Sequence, residues 1–134
     1  MPMQIADLET ALQTFLKKHP NVSVLGYFGS YAKGHPRPDS DVDICLAEDR
    51  PINAEKKIEY INELTLLLRK EVDLLDLNTA NGVILKESLH TAKWVHKETV
   101  VFAQIMKRML FDQADFQPYY QRILKAKRER FLKS

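Results

Sequence analysis

The sequence has one cysteine, Cys45, and no Cys/His spacing of the kind that holds zinc. Internal disulfides and structural zinc are therefore excluded as staples, and the fold must rest on an apolar core. No stretch approaches the roughly eighteen consecutive apolar residues of a membrane span. The opening "MPMQIADLET" also lacks the basic-then-apolar pattern of a secretory signal. A cytoplasmic protein without a membrane partner is expected. Charge of one sign is scarce as well: 20 Lys and Arg against 18 Asp and Glu leave +2 at pH 7. That surplus is too small to mark a nucleic-acid binder, although "RILKAKRERFLKS" concentrates six cations against Glu129 alone. Repeats, low-complexity tracts and linkers are missing too.

What is present fits one domain. A chain of 134 residues that is 45% hydrophobic can bury one ordinary core and is short for two. Residues 1–134 are read as a single unit, with helices at about 98–132 as an extension or an interface. Apolar Ile5, Leu8, Leu12, Phe15 and Leu16 recur at helical spacing up to about Lys18, and Pro20 follows. "NVSVLGYF" (21–28) is short, β-branched and aromatic, which suits a buried strand. "DVDICLA" (41–47) alternates, with Val42, Ile44 and Leu46 on one face and Asp41, Asp43 and Cys45 on the other. An amphipathic helix is expected from about Pro51 to Lys70 and a third strand in "EVDLLDLN" (71–78). Helices are then expected near Asn81 to Thr91, Glu98 to Phe111 and Pro118 to Leu132. The order implies an α+β fold, a small mixed sheet with helices packed on one face.

The chemistry concentrates in "GSYAKGHPRPDSDVDICL", Gly29 to Leu46. Aspartates at i and i+2 of a strand point the same way, roughly 7 Å apart. Such a pair repels itself unless a cation sits between the side chains, and oxygen donors without nitrogen or sulfur partners suit a hard ion such as magnesium. Asp73 puts a third acid inside an apolar strand, where an unpaired charge is costly. If its strand lies beside that of Asp41 and Asp43, the three can hold two metal ions in the arrangement used for phosphoryl or nucleotidyl displacement. Gly29 and Ser30 end a strand and open a turn whose free N–H groups and hydroxyl could grip triphosphate oxygens. Lys33 and Arg37 follow as further cations for the leaving pyrophosphate, and spacing does not choose between them.

Gly29-Ser30, ten intervening residues, then Asp41-Val42-Asp43 is the GSX10DXD pattern. The chain here resembles the polymerase-β-like nucleotidyltransferases. More narrowly it looks like the minimal nucleotidyltransferases, the MNT half of HEPN/MNT toxin-antitoxin pairs. With each letter at about 5 to 7%, chance would supply the four fixed residues with probability on the order of 10⁻³. The likeness covers roughly Val22 to Asn78. It implies an enzyme that takes ATP with two magnesium ions and transfers a nucleoside monophosphate to a hydroxyl, releasing pyrophosphate. In antitoxin members the acceptor is a tyrosine of the partner HEPN ribonuclease toxin, which is silenced. On these positions the resemblance implies that Gly29 and Ser30 bind phosphate, while Lys33 is a candidate cofactor-binding cation only through its place after the turn. It also implies that Asp41 and Asp43 ligate metal, and that Asp73 completes the site and helps deprotonate the acceptor. Tyr31 stands where the family often has arginine.

Plainer roles are expected elsewhere. Asp76, on the other strand face from Asp73, reads as a solvated edge, and Cys45 as a buried filler. His35 belongs to the loop, and His19, His90 and His96 count as surface or cap residues. Trp94 is read as a core or interface aromatic before a stacking partner for adenine. Two other functions are consistent with the residues: transfer to a small hydroxylated compound or RNA end, and a non-catalytic module that masks a toxin.

Overall fold

The structure, a computed structural model, describes residues 3–111. The expected helix from Pro118 to Leu132, and with it most of the C-terminal extension, lies outside the described residues. The first helix, α1 (Ile5–Lys18), buries Leu8, Leu12 and Phe15. It stops one residue short of the His19-Pro20 step, because proline cannot continue the hydrogen-bond ladder. The strand β1 (Val24–Phe28) is buried along its whole length, and the short helix α2 (Gly29–Lys33) follows it directly. Next come β2 (Val42–Ala47), α3 (Ala54–Leu68) and β3 (Val72–Asp76). Asn53 caps α3 by accepting from the Lys56 N–H at 2.7 Å. The helix closes at Arg69, a residue in the left-handed conformation with φ 55°.

The strands order as β3-β2-β1-β4, where β4 is Lys93–Lys97. β1 runs antiparallel to β2 and β4, while β2 and β3 are parallel. The mixed sheet and the α+β class are as expected. β4 was not, since "KWVHK" carries three cationic or titratable residues in five and shows no apolar run. Such a composition suits an exposed sheet edge, where charge discourages pairing with other chains. It leads into α5 (Thr99–Leu110) from α4 (Gly82–Thr91).

The expectation that helices lie on one face is corrected. Leu25, Tyr27, Val42, Ile44, Leu46 and Leu74 pack with Leu8, Leu12 and Phe15 of α1 and Tyr60, Leu64 and Leu68 of α3. Val24, Phe28, Cys45 and Ala47 face the other way and pack with Leu85 and Leu89 of α4 and Ile105 and Met109 of α5. The alternation is apolar on both sides once the acids at the head of β2 are passed, so both faces need a helical cover. No helix among the described residues is long and apolar enough to cross a membrane.

Candidate active site

The parallel pairing of β2 and β3 places Asp43 opposite Asp73, and β1 sets Phe28 opposite Asp43 on the other side. Each acid is the second residue of its strand. The crossover through α3 returns the chain to the same end of the sheet, so residues thirty positions apart become neighbours there. Asp41 precedes β2 and is exposed, Asp73 is exposed, and Asp43 is half-buried.

Gly29 continues from Phe28 and therefore rises beside Asp43. Its φ of +70° is left-handed, and a Cβ built on it would sit 2.1 Å from Asp43 Oδ2. Only glycine permits both the backbone angle and that approach. The lack of a side chain thus lets the turn of Gly29 and Ser30 come up close beside the carboxylate. At the start of α2 no side chain caps the first N–H groups, which leaves them available to an acceptor.

The electrostatics follow from this packing. The Asp43 carboxyl titrates above the usual aspartate range, chiefly through burial, then through the negative charges of Asp73 and Asp41, and last through Glu87. Every cause disfavours its ionised form, which a divalent cation would reverse. The donors are carboxylate oxygens, the chemistry of a magnesium site. Among the described residues, no three His, Cys, Asp or Glu side chains close into a finished coordination set. The acids share an end of the sheet and an electrostatic neighbourhood. The pairing of Asp43 with Asp73 across the ladder, with oxygen donors alone, suits the chemistry of a hard cation.

The remaining expectations fall into place around this end of the sheet. Lys33 stands exposed in the last turn of α2, and Arg37 is exposed in the following loop. His35 is exposed too, its N–H donating to the Ser30 carbonyl at 3.1 Å. Cys45 is fully buried and its thiol is pushed up to about 12 by that burial, in keeping with a filler. Trp94 is half-buried, edge-on to Phe102 with ring centroids 5.0 Å apart, and lies close against Gly26. One reading is corrected. Asp76 is 4% exposed and accepts hydrogen bonds from the Ile52 and Asn78 N–H groups at 3.1 and 2.9 Å. It is a buried fastener of the loops beyond β2 and β3. His19 is the cap residue that closes α1, as expected, and it also pairs with Glu63 and lies against the rings of Phe15 and Tyr60. Glu87 was missed altogether: it lies on α4, and only the packing of that helix over the acid-bearing face brings its charge near Asp43. No spacing in the sequence signals it.

The family model for "Polymerase beta, Nucleotidyltransferase" matches residues 10–99. The chain belongs to the polymerase-β nucleotidyltransferase family. Among curated relatives, protein adenylyltransferase MntA of Thermococcus cleftensis is 33% identical over 92 residues, covering 69% of this chain and 93% of the relative. MntA of Shewanella oneidensis is 28% identical over 74 residues, covering 55% and 53% of the two chains. Among solved structures, a toxin-antitoxin crystal structure with AMP-PNP superposes with a TM-score of 0.67 at 23% identity, covering 93% of this chain and 95% of that one. That superposition shows a shared α+β fold. Within the family match lie β1, α2, β2 and β3 entire, and so every acid of the site.

Proposed function

We propose that this chain is an antitoxin nucleotidyltransferase that transfers AMP from ATP to a tyrosine hydroxyl of a partner HEPN ribonuclease and thereby neutralises it, in a cytoplasmic setting. The observation that carries the reading is the seat of Asp43, flanked by Asp73 across the parallel ladder and pressed against the bare Cα of Gly29. Support also comes from a relative called protein adenylyltransferase and from a solved complex of a tri-AMPylated HEPN toxin with its MNT antitoxin from Shewanella oneidensis, TM-score 0.63.

Asp41, Asp43 and Asp73 would hold two magnesium ions. Bound there, the ions supply positive charge to the triphosphate and to the departing pyrophosphate. Ser30 and the uncapped amides at the start of α2 bind and orient the phosphates, with Lys33 as an additional cation. The acceptor oxygen attacks the α-phosphorus, the bond from that phosphorus to the pyrophosphate oxygen breaks, and Asp73 helps remove the hydroxyl proton. Catalysis is then mostly placement and charge neutralisation.

The test is incubation with ATP, magnesium and the product of the adjacent gene, taken as the candidate HEPN protein, followed by intact mass measurement of both proteins. Gains of whole AMP units on the HEPN protein, lost with Asp41→Asn, are expected. Label on RNA or on a small hydroxylated compound, or ribonuclease inhibition that survives Asp41→Asn without any mass gain, would overturn the assignment.

A further inference from the structure

We propose that Lys70 is a positioning residue for the aspartate pair: its ammonium fastens the loop that carries Asp41 to the turn between α3 and β3. The inference rests on the nucleotidyl-transfer reading of the site. Between α2 and β2 the chain runs from Gly34 to Asp41 outside helix and strand. The bonds this loop makes at its start and within itself are local. His35 N–H donates to the Ser30 carbonyl at 3.1 Å, Arg37 N–H to Ser40 Oγ at 2.8 Å, and Ser40 N–H to the Arg37 carbonyl at 3.0 Å. They shape a turn without tying it to the sheet.

Pro36 and Pro38 remove two backbone donors from the same stretch. The loop must therefore be held through its carbonyls. Among the described residues, one hydrogen bond reaches residues 36–40 from elsewhere in the fold, and it runs from Lys70 Nζ to the Pro38 carbonyl at 2.8 Å. One position further along, the Glu71 carbonyl accepts from the Val42 N–H at 3.0 Å. Asp41 is thus bracketed by two anchor points, Pro38 and Val42, which are both gripped by consecutive residues of one turn. The turn itself is unusual. Arg69, just before, is the one non-glycine residue with positive φ among the described residues, a conformation that needs a structural reason in a residue with a side chain. Here it reverses the chain after α3 so that Lys70 and Glu71 meet the loop. A charged donor on a carbonyl is a stronger tie than a neutral one, and its loss frees the segment in front of the acids while leaving both cores intact.

The experiment uses the full chain with the partner toxin as acceptor and compares wild type, Lys70→Met and Lys70→Arg at varied ATP. Lys70→Met keeps the apolar stem and deletes the donor. It is expected to lower kcat about tenfold while KM for ATP stays within about twofold, the pattern of misplaced catalytic groups. Lys70→Arg restores a cationic donor and should recover most of the rate. Amide hydrogen exchange provides a readout independent of turnover: residues 37–42 should exchange faster in Lys70→Met, with α1 and α3 unchanged. Wild-type kcat in Lys70→Met, equal loss in both variants, or unchanged exchange at 37–42 would overturn the proposal. If wild type itself transfers no nucleotide, the functional assignment fails, and the exchange comparison alone decides for or against the tether.

Discussion

Replacing Asp43 with asparagine should make the metal-free protein more stable while it destroys transfer. Asp43 is half-buried, and Asp73 and Asp41 act on it with like charge. Two unit charges ~5 Å apart cost about 3 kcal/mol at an effective dielectric of 20 and under ~1 kcal/mol in water. Because Asp41 and Asp73 are exposed, the screened end of that range applies, and the asparagine should gain about 1 kcal/mol. For a domain of this size, that raises the melting temperature by about 3–5 °C. The pH dependence has a definite sign. A carboxyl whose folded pKa lies above its unfolded value binds more protons folded than unfolded, so stability falls as pH rises through that window. The advantage of the variant should therefore be present at pH 7 and vanish below about pH 4, where the group is protonated in both states. Thermal melts in EDTA at pH 7 and at acid pH measure this directly. With magnesium added at about ten times its dissociation constant, wild type should gain about 1.4 kcal/mol and the variant much less. An Asp43→Asn protein that melts at or below the wild-type temperature in EDTA would refute the picture of a strained acid waiting for a cation.

Gly29→Ala should cost about 1–2 kcal/mol from its left-handed angle and lower the transfer rate by about 100-fold, because the new Cβ displaces Asp43; wild-type turnover would refute the close approach. Leu12→Ala removes a fully buried side chain between α1 and the sheet and should cost about 2–5 kcal/mol in urea unfolding, without changing the slope. Glu98 accepts from the Val100 and Val101 N–H groups at 3.2 and 2.9 Å, bonds that hold its carboxyl below the usual glutamate range. That stabilisation is present above the unfolded pKa and lost as pH falls through the folded one. Glu98→Ala should accordingly melt lower than wild type at pH 7, and the gap should close in strong acid.

The acid-bearing strand was legible because two periodicities coincide there: alternation puts Asp41 and Asp43 on one face, and the turn pattern puts Gly29-Ser30 ten residues ahead. α1 and α3 were legible for the same reason, as apolar stripes of helical period. β4 was not, since an edge strand gains its order from the neighbouring ladder and needs no apolar run of its own. The burial of Asp76 was hidden by its distant donors, Ile52 and Asn78. Two-sided coverage of the sheet was half visible in Cys45 and Ala47, small buried residues on the acid face. Glu87 and Lys70 could not be singled out, because their relevance arises from where α4 and the α3–β3 turn come to rest.

The parallel ladder between β2 and β3 has one more consequence. The distance between Asp43 and Asp73 is set by interstrand hydrogen bonds, whatever the length of the crossover that joins them. Remodelling the outer surface of α3 should leave both carboxylates in place, provided the turn that follows it still presents Lys70 and Glu71 to the loop before β2. The exposed face of the crossover helix can thereby vary independently of the spacing between the two acids.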